Sequence, residues 1–162
     1  AIQNIVAPLV DGGYDIKVYG SESWINACDG YSIDEKYYGG YVHYHQTPYI
    51  YSSAKIVLGI QSVNTSPTQT SCRTYEILGS GAFHLSCYTP SCKKLFNNHE
   101  HMIWSKSPEE TIELVDYYLK HNQEREEIAR KGQAEILSKH TYAHRLFQIE
   151  TEFDPAWYRG GA

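Results

Sequence analysis

Basic charge, cysteine and long apolar runs are all scarce in this sequence, and each shortage removes a class of function. Fourteen Lys and Arg stand against 19 Asp and Glu in 162 residues, for a net charge of −5, and the basic residues gather in no tail or stripe. Binding to nucleic acid driven by phosphate neutralisation is therefore disfavoured. The four cysteines, Cys28, Cys72, Cys87 and Cys92, are too few for a disulfide framework at this length and match no zinc spacing. A reducing, cytoplasmic setting is the default. No run approaches the roughly 18 apolar residues of a membrane-spanning helix, and the first residues lack the pattern of a signal peptide. They also lack an initiator Met, so the expectation is a piece of a longer protein. A GxSxG elbow, a Walker loop and a paired-aspartate metal motif are missing too, which lowers the hydrolase, P-loop ATPase and metal-assisted readings.

With 41% hydrophobic and 20% charged residues, the chain has the composition of one folded domain. Its excess is in tyrosine: 15 Tyr against 4 Phe and 3 Trp, nine of them within the first 51 residues. The opening AIQNIVAPLVDGG predicts a short helix that stops at Gly12-Gly13. The run YDIKVYG reads as a strand, followed by a long polar and aromatic connection. Short apolar runs recur at Tyr41–Tyr44, Lys55–Ile60, Ala82–Ser86 and His101–Trp104, with helical patterns between most of them. Strands alternating with helices imply an α/β fold, a Rossmann-like doubly wound parallel sheet. The last third is helical, opening at Ser107-Pro108-Glu109-Glu110 with a capping box. A second helix runs from about Gln123 to Lys139 with Ile128, Ala129, Gly132 and Ile136 on one face. A third, capped by Thr141, carries Tyr142, Leu146 and Ile149. The division is a domain over 1–150 and a tail over 151–162, in which Phe153 or Trp157 packs back on the body or is loose.

The segment TSPTQTSCRTYEILGSG holds the most chemistry. It is a polar loop entering a short helix, and in an open α/β sheet such a loop lies at the carboxyl edge of the strands, where ligands bind. Ser71 is placed to cap that helix, leaving the N–H groups of Cys72, Arg73 and Thr74 to face an anion. Arg73 suits a pyrophosphate, and Glu76, one turn on, suits a vicinal diol such as a ribose. The plain alternative is an Arg73–Glu76 pair across one helix turn, and a Cys72 that is only a small buried hydrophobe. The pairs His43/His45, His99/His101 and His140/His144 raise a metal site. Only the last has i, i+4 spacing, and no Cys or carboxylate completes it, so no metal is expected.

The order of segments from Gly39 to Ile149 resembles the nucleotide-sugar-binding core of GT-B glycosyltransferases of the group 1 kind. The Arg73-Thr74-Tyr75-Glu76 run and the closing His140-Thr141-Tyr142-Ala143-His144-Arg145 are similar to the R-x-x-E and H-T-Y-x-x-R motifs of the CgeB-like (spore maturation protein) branch. The resemblance implies a donor-binding lobe for a nucleotide diphosphate sugar, UDP-linked sugars among the candidates, with no separate cofactor and no metal. It implies that Glu76 holds the ribose, that Thr70, Ser71, Cys72 and Arg73 adjoin the phosphates or sugar, and that His43, Tyr44, His45 and Gln46 lie near the base. Tyr41, Tyr44, Tyr49 and Tyr51 would then pack inward and present hydroxyls to a cleft. The first glutamate of the family's E-x7-E pair falls at Thr68. The family's first strand and its basic phosphate-binding residue have no counterpart ahead of the first helix, so an upstream lobe or a second chain is the expected partner. A scaffold that kept this fold and lost donor binding is the competing expectation.

Overall fold

Three short apolar segments meet as parallel strands, β1 (Val57–Gly59), β2 (His84–Cys87) and β3 (Ile103–Ser105), in the spatial order β1-β2-β3. Val57 pairs with His84, and Leu85 with Ile103. The computed structural model describes residues 1–27, 30–63 and 65–152. Among these residues the helices are α1 (Ile2–Ile5), α2 (Ala7–Asp11), α3 (Thr47–Ser53), α4 (Cys72–Gly79), α5 (Pro90–Leu95), α6 (Pro108–Lys120), α7 (Asn122–Lys139) and α8 (Tyr142–Glu152). Because successive strand residues face opposite ways, the sheet feeds two cores. Phe83, Leu85, Cys87 and Ile103 pack with Ile5, Leu9, Val115, Tyr118 and Ile128 on one side. Met102 and Trp104 pack with Leu78, Cys92, Phe96 and Ile136 on the other. This is the doubly wound arrangement that the alternation of strands and helices predicts.

Local chemistry accounts for the helix ends. Ser107 accepts the Glu110 N–H at 3.2 Å, and the Glu110 carboxylate reaches back to the Lys106 N–H at 2.6 Å, so the capping box closes one residue further upstream than its usual form. Glycine sets the spacing between α7 and α4. A Cβ on Gly132 would stand 2.3 Å from the His101 carbonyl oxygen and 3.0 Å from Leu78, so only a residue without one lets the helix come this close.

Three expectations fail for physical reasons. The opening helix is two helices, because Pro8 has no N–H to offer the Asn4 carbonyl, which instead accepts the Thr111 hydroxyl at 2.7 Å. Residues 14–20 form no strand: one bridge, Val18 to Tyr38, and the Gly20 N–H on the Gly40 carbonyl at 3.0 Å are the sheet-like pairing they find among the described residues. Tyr41–Tyr44 form none either, and Tyr44–Gln46 make a 3-10 turn that leads into α3. Both segments have β-like composition but no neighbouring strand, and composition without a partner makes no sheet. On α8 the side chains of Tyr142, Leu146, Phe147 and Ile149 are all exposed. Phe153, Trp157 and Cys28 lie outside the described residues. No helix among the described residues is long and apolar enough to cross a membrane.

Candidate functional site

The carboxyl end of β1 runs directly into a buried polar side chain. Gln61, only 5% exposed, sits under the loop 61–71 and ties both of its ends. Its Oε1 accepts the Ser71 N–H and its Nε2 donates to Thr74 Oγ1, each at 3.0 Å. Behind it the sheet is close-packed by Gly59, where a Cβ would stand 2.3 Å from the His84 ring. That imidazole is wholly buried, its Nδ1 3.1 Å from the Val57 carbonyl, and burial lowers its pKa to about 4, so it is neutral. A second set of hydroxyls braces the loop from α5. Thr70 Oγ1 donates to Ser91 Oγ at 3.0 Å, Ser91 Oγ donates in turn to the Gln69 carbonyl, and Thr89 caps α5 by accepting the Cys92 N–H at 3.0 Å. Ser66 accepts from the Gln69 N–H at 3.0 Å, making the turn ahead of this. Sequence reasoning missed Gln61, Thr89 and Ser91. A glutamine directly following an apolar strand was the available signal for the first.

Ser71 caps α4 as expected, accepting the Arg73 N–H at 3.2 Å. The cap uses more of the first turn than the sequence implies. The Ser71 side chain takes the Arg73 amide and the Ser71 carbonyl takes that of Thr74, which leaves Cys72 as the one expected first-turn amide without an acceptor among the described residues. Arg73 and Cys72 are exposed and Glu76 is half-buried, on the face of α4 opposite Thr74, Ile77 and Leu78. Among the described residues no ion pair joins Arg73 to Glu76, so the plain alternative of a mutual pair is not what is seen. Both side chains are left available at the carboxyl edge. Thr68 is exposed in the loop, with its N–H 3.4 Å from Ser66 Oγ.

The two motif segments meet in space. The Tyr75 ring lies 5.8 Å from the His140 ring, which also packs on Phe96 at 5.4 Å, and Arg145 donates to His140 Nδ1 at 2.7 Å. Burial pushes the Tyr75 hydroxyl up in pKa, while Arg145 and then Thr70 pull it down, so the start of α8 bears on the site loop through Tyr75. His140 falls in the break before α8, not on the helix that carries His144, so the i, i+4 pair does not share a helix face. Instead His144 Nδ1 stands 2.7 Å from Thr141 Oγ1 at the helix start. Among the described residues no group of three His, Cys, Asp or Glu is placed to hold a metal ion.

The segment expected near the base leads into α3, which precedes β1 in the chain. His43, Tyr44, His45 and Gln46 are all exposed, with the His43 and His45 rings stacked 6.1 Å apart and Tyr41 edge-on to His43 at 5.6 Å. No hydrogen bond or ring contact among the described residues joins them to Ser71–Glu76. Tyr41, Tyr44 and Tyr49 do not pack inward as expected. They are 72 to 76% exposed: no strand forms to carry Tyr41 and Tyr44 into the core, and Tyr49 lies on α3, which buries none of its residues. The carboxyl edge is thus an open surface with a rigid floor.

A family model for glycosyl transferase-like proteins matches residues 3–151. The chain belongs to the glycosyl transferase-like family. No curated protein sequence matches this glycosyl transferase-like chain. Among solved structures it is similar in fold to Anabaena HepE, crystallised in complex with UDP-glucose, with a TM-score of 0.61 at 13% identity. That likeness covers 71% of this chain and 31% of the HepE chain, so the glycosyl transferase-like chain corresponds to about a third of that structure.

Proposed function

We propose that this chain is the donor-binding lobe of a metal-independent glycosyltransferase of the CgeB-like kind, taking a nucleotide diphosphate sugar, with UDP-glucose a reasonable first candidate. One observation carries the reading: the amino end of α4, held at the carboxyl edge by Gln61, presents Arg73 and, one turn on, Glu76, neither side chain with a hydrogen-bond or ion-pair partner among the described residues. In this reading the Cys72 amide, Arg73 and the helix dipole meet the diphosphate, and Glu76 accepts hydrogen bonds from the ribose hydroxyls. Stabilising the departing diphosphate by fixed dipoles and a guanidinium is catalysis aimed at charge that grows in the transition state. Ser71, Thr70 and Thr68 border the sugar, and His43 to Gln46 border the base. The group that activates the acceptor would come from an upstream lobe or a second chain, in a cytoplasmic protein.

A scaffold without donor binding is favoured by one feature, Thr68 in place of the family's first glutamate. Titration with UDP and GDP, each free and sugar-linked, separates the readings when followed by backbone amide NMR shifts. The donor reading expects saturable shifts centred on Ser71–Glu76 and an affinity at least tenfold weaker in Glu76→Ala, a loss of about 1.4 kcal/mol. Unchanged affinity in that variant overturns the site, and no saturable shift with any of the four ligands favours the scaffold.

A further inference from the structure

The other end of the sheet holds a cation with too few partners. Arg125, in the first turn of α7, is 8% exposed. Its Nη1 donates to the Tyr118 carbonyl in the last turn of α6 at 2.7 Å, and no other acceptor for its side chain is found among the described residues. No carboxylate there lies within ion-pairing distance of it. One carbonyl engages one of the five guanidinium donors, and the other nitrogens are not sealed off, so this largely buried cation still has donors to offer an anion. The side chain lines a cleft of about 260 Å³ together with Gly81 and Phe83, which lead into β2, and Ser53 and Lys55, which lead into β1. Lys55 is exposed and Glu126 stands at the rim. Ser53 and its neighbour Ser52 donate their hydroxyls to the Ile50 and Tyr49 carbonyls, so towards the cleft their oxygens can only accept.

From this geometry we infer a second ligand site, for a small hydroxylated phosphomonoester. Arg125 and Lys55 line the same cleft, and a phosphate group offers enough oxygens to engage both cations at once, which a single carboxylate does less well. Ser53 and Glu126, both acceptors, suit hydroxyl groups on the remainder of the ligand. The volume is below the roughly 300 to 1,000 Å³ of sites for drug-sized molecules, so the ligand has only a few carbons. The site lies at the amino ends of the strands, away from Ser71, and stands or falls independently of donor binding.

Titration of the chain with glycerol 3-phosphate, and with inorganic phosphate as a second probe, tests this by backbone amide NMR. The expected result is saturable shifts at Ser53, Lys55, Phe83 and Glu126, with affinity at least tenfold weaker in Lys55→Met and in Arg125→Met and unchanged in Arg73→Ala. Arg125 also caps α6, so its replacement puts folding at risk; Lys55→Met, at an exposed position, carries the decision. Tighter binding of glycerol 3-phosphate than of phosphate supports the role of the acceptors. Equal binding of the two overturns that part and leaves a bare phosphate site. Absence of saturable shifts, shifts centred on Ser71–Arg73, or affinity unchanged in Lys55→Met overturns the site altogether.

Discussion

The described residues of 14–40 and those of the loop 61–71 lack long regular elements, and both stretches are fastened by polar side chains, yet they use opposite kinds. In the first, long tyrosines lie on their rings and reach out at the tip: Tyr14 to Asp116 at 2.7 Å, Tyr31 to Asp11 at 2.9 Å, Tyr37 to the Val10 carbonyl at 3.2 Å and Tyr38 to the Gly20 carbonyl at 2.8 Å. In the second, Thr70, Thr74, Thr89 and Ser91 join Gln61 in a set of short bonds, and all but Thr70 are sealed from water. A tyrosine that loses its hydroxyl keeps its packing, and water can serve the partner left behind. A buried threonine or glutamine that loses its partner keeps nothing. The tyrosine layer should therefore be forgiving and the carboxyl-edge network should not.

The sharpest way to break the contrast is from below the network. Gly59→Ala drives a methyl into the His84 ring and Ser86, and should cost about 3 kcal/mol in urea unfolding. A cost under about 1 kcal/mol would mean that the floor of the site is soft. Gln61→Ala orphans the Ser71 N–H and Thr74 Oγ1 together, and about 2 kcal/mol is expected. Hydrogen exchange should then quicken at Ser71 before it does elsewhere. Tyr31→Phe, on the other side of the comparison, should cost only about 0.5 kcal/mol at neutral pH. Its effect shows in alkali. Burial, and then Asp11, push the Tyr31 pKa up to about 12, against a value of about 10 in the unfolded chain. The stability from keeping that phenol protonated is whole below pH 10 and is lost as pH rises towards 12. Tyr31→Phe should flatten this limb only in part, because buried Tyr118 is also raised to about 12.

What the sequence disclosed follows the same division. Lys55–Ile60, Ala82–Ser86 and His101–Trp104 read as strands because each is apolar enough to be buried on both faces, and Ser107 and Ser71 read as caps because a cap is a local matter of one side chain and one amide. Arg73 and Glu76 were legible as a candidate site for the same local reason. The failures needed knowledge of distant partners. Tyr14–Gly20 has the composition of a strand and is instead anchored by Asp116 and Lys36, 102 and 19 positions away in the hydrogen bonds of Tyr14 and Lys17. Arg125 looked like one charge among many on α7, and only the fold reveals that it is buried.

The Thr111 hydroxyl bonded to the Asn4 carbonyl joins positions 107 apart in the chain. Its consequence is temporal. During synthesis α1 and α2 emerge ahead of the sheet, and Ile2, Ile5 and Leu9 lack the surface they pack on until β2, β3 and α6 have followed. Each parallel pairing also waits on a long crossover, so the folding barrier is dominated by loop closure and the apolar opening helices spend that interval exposed to self-association.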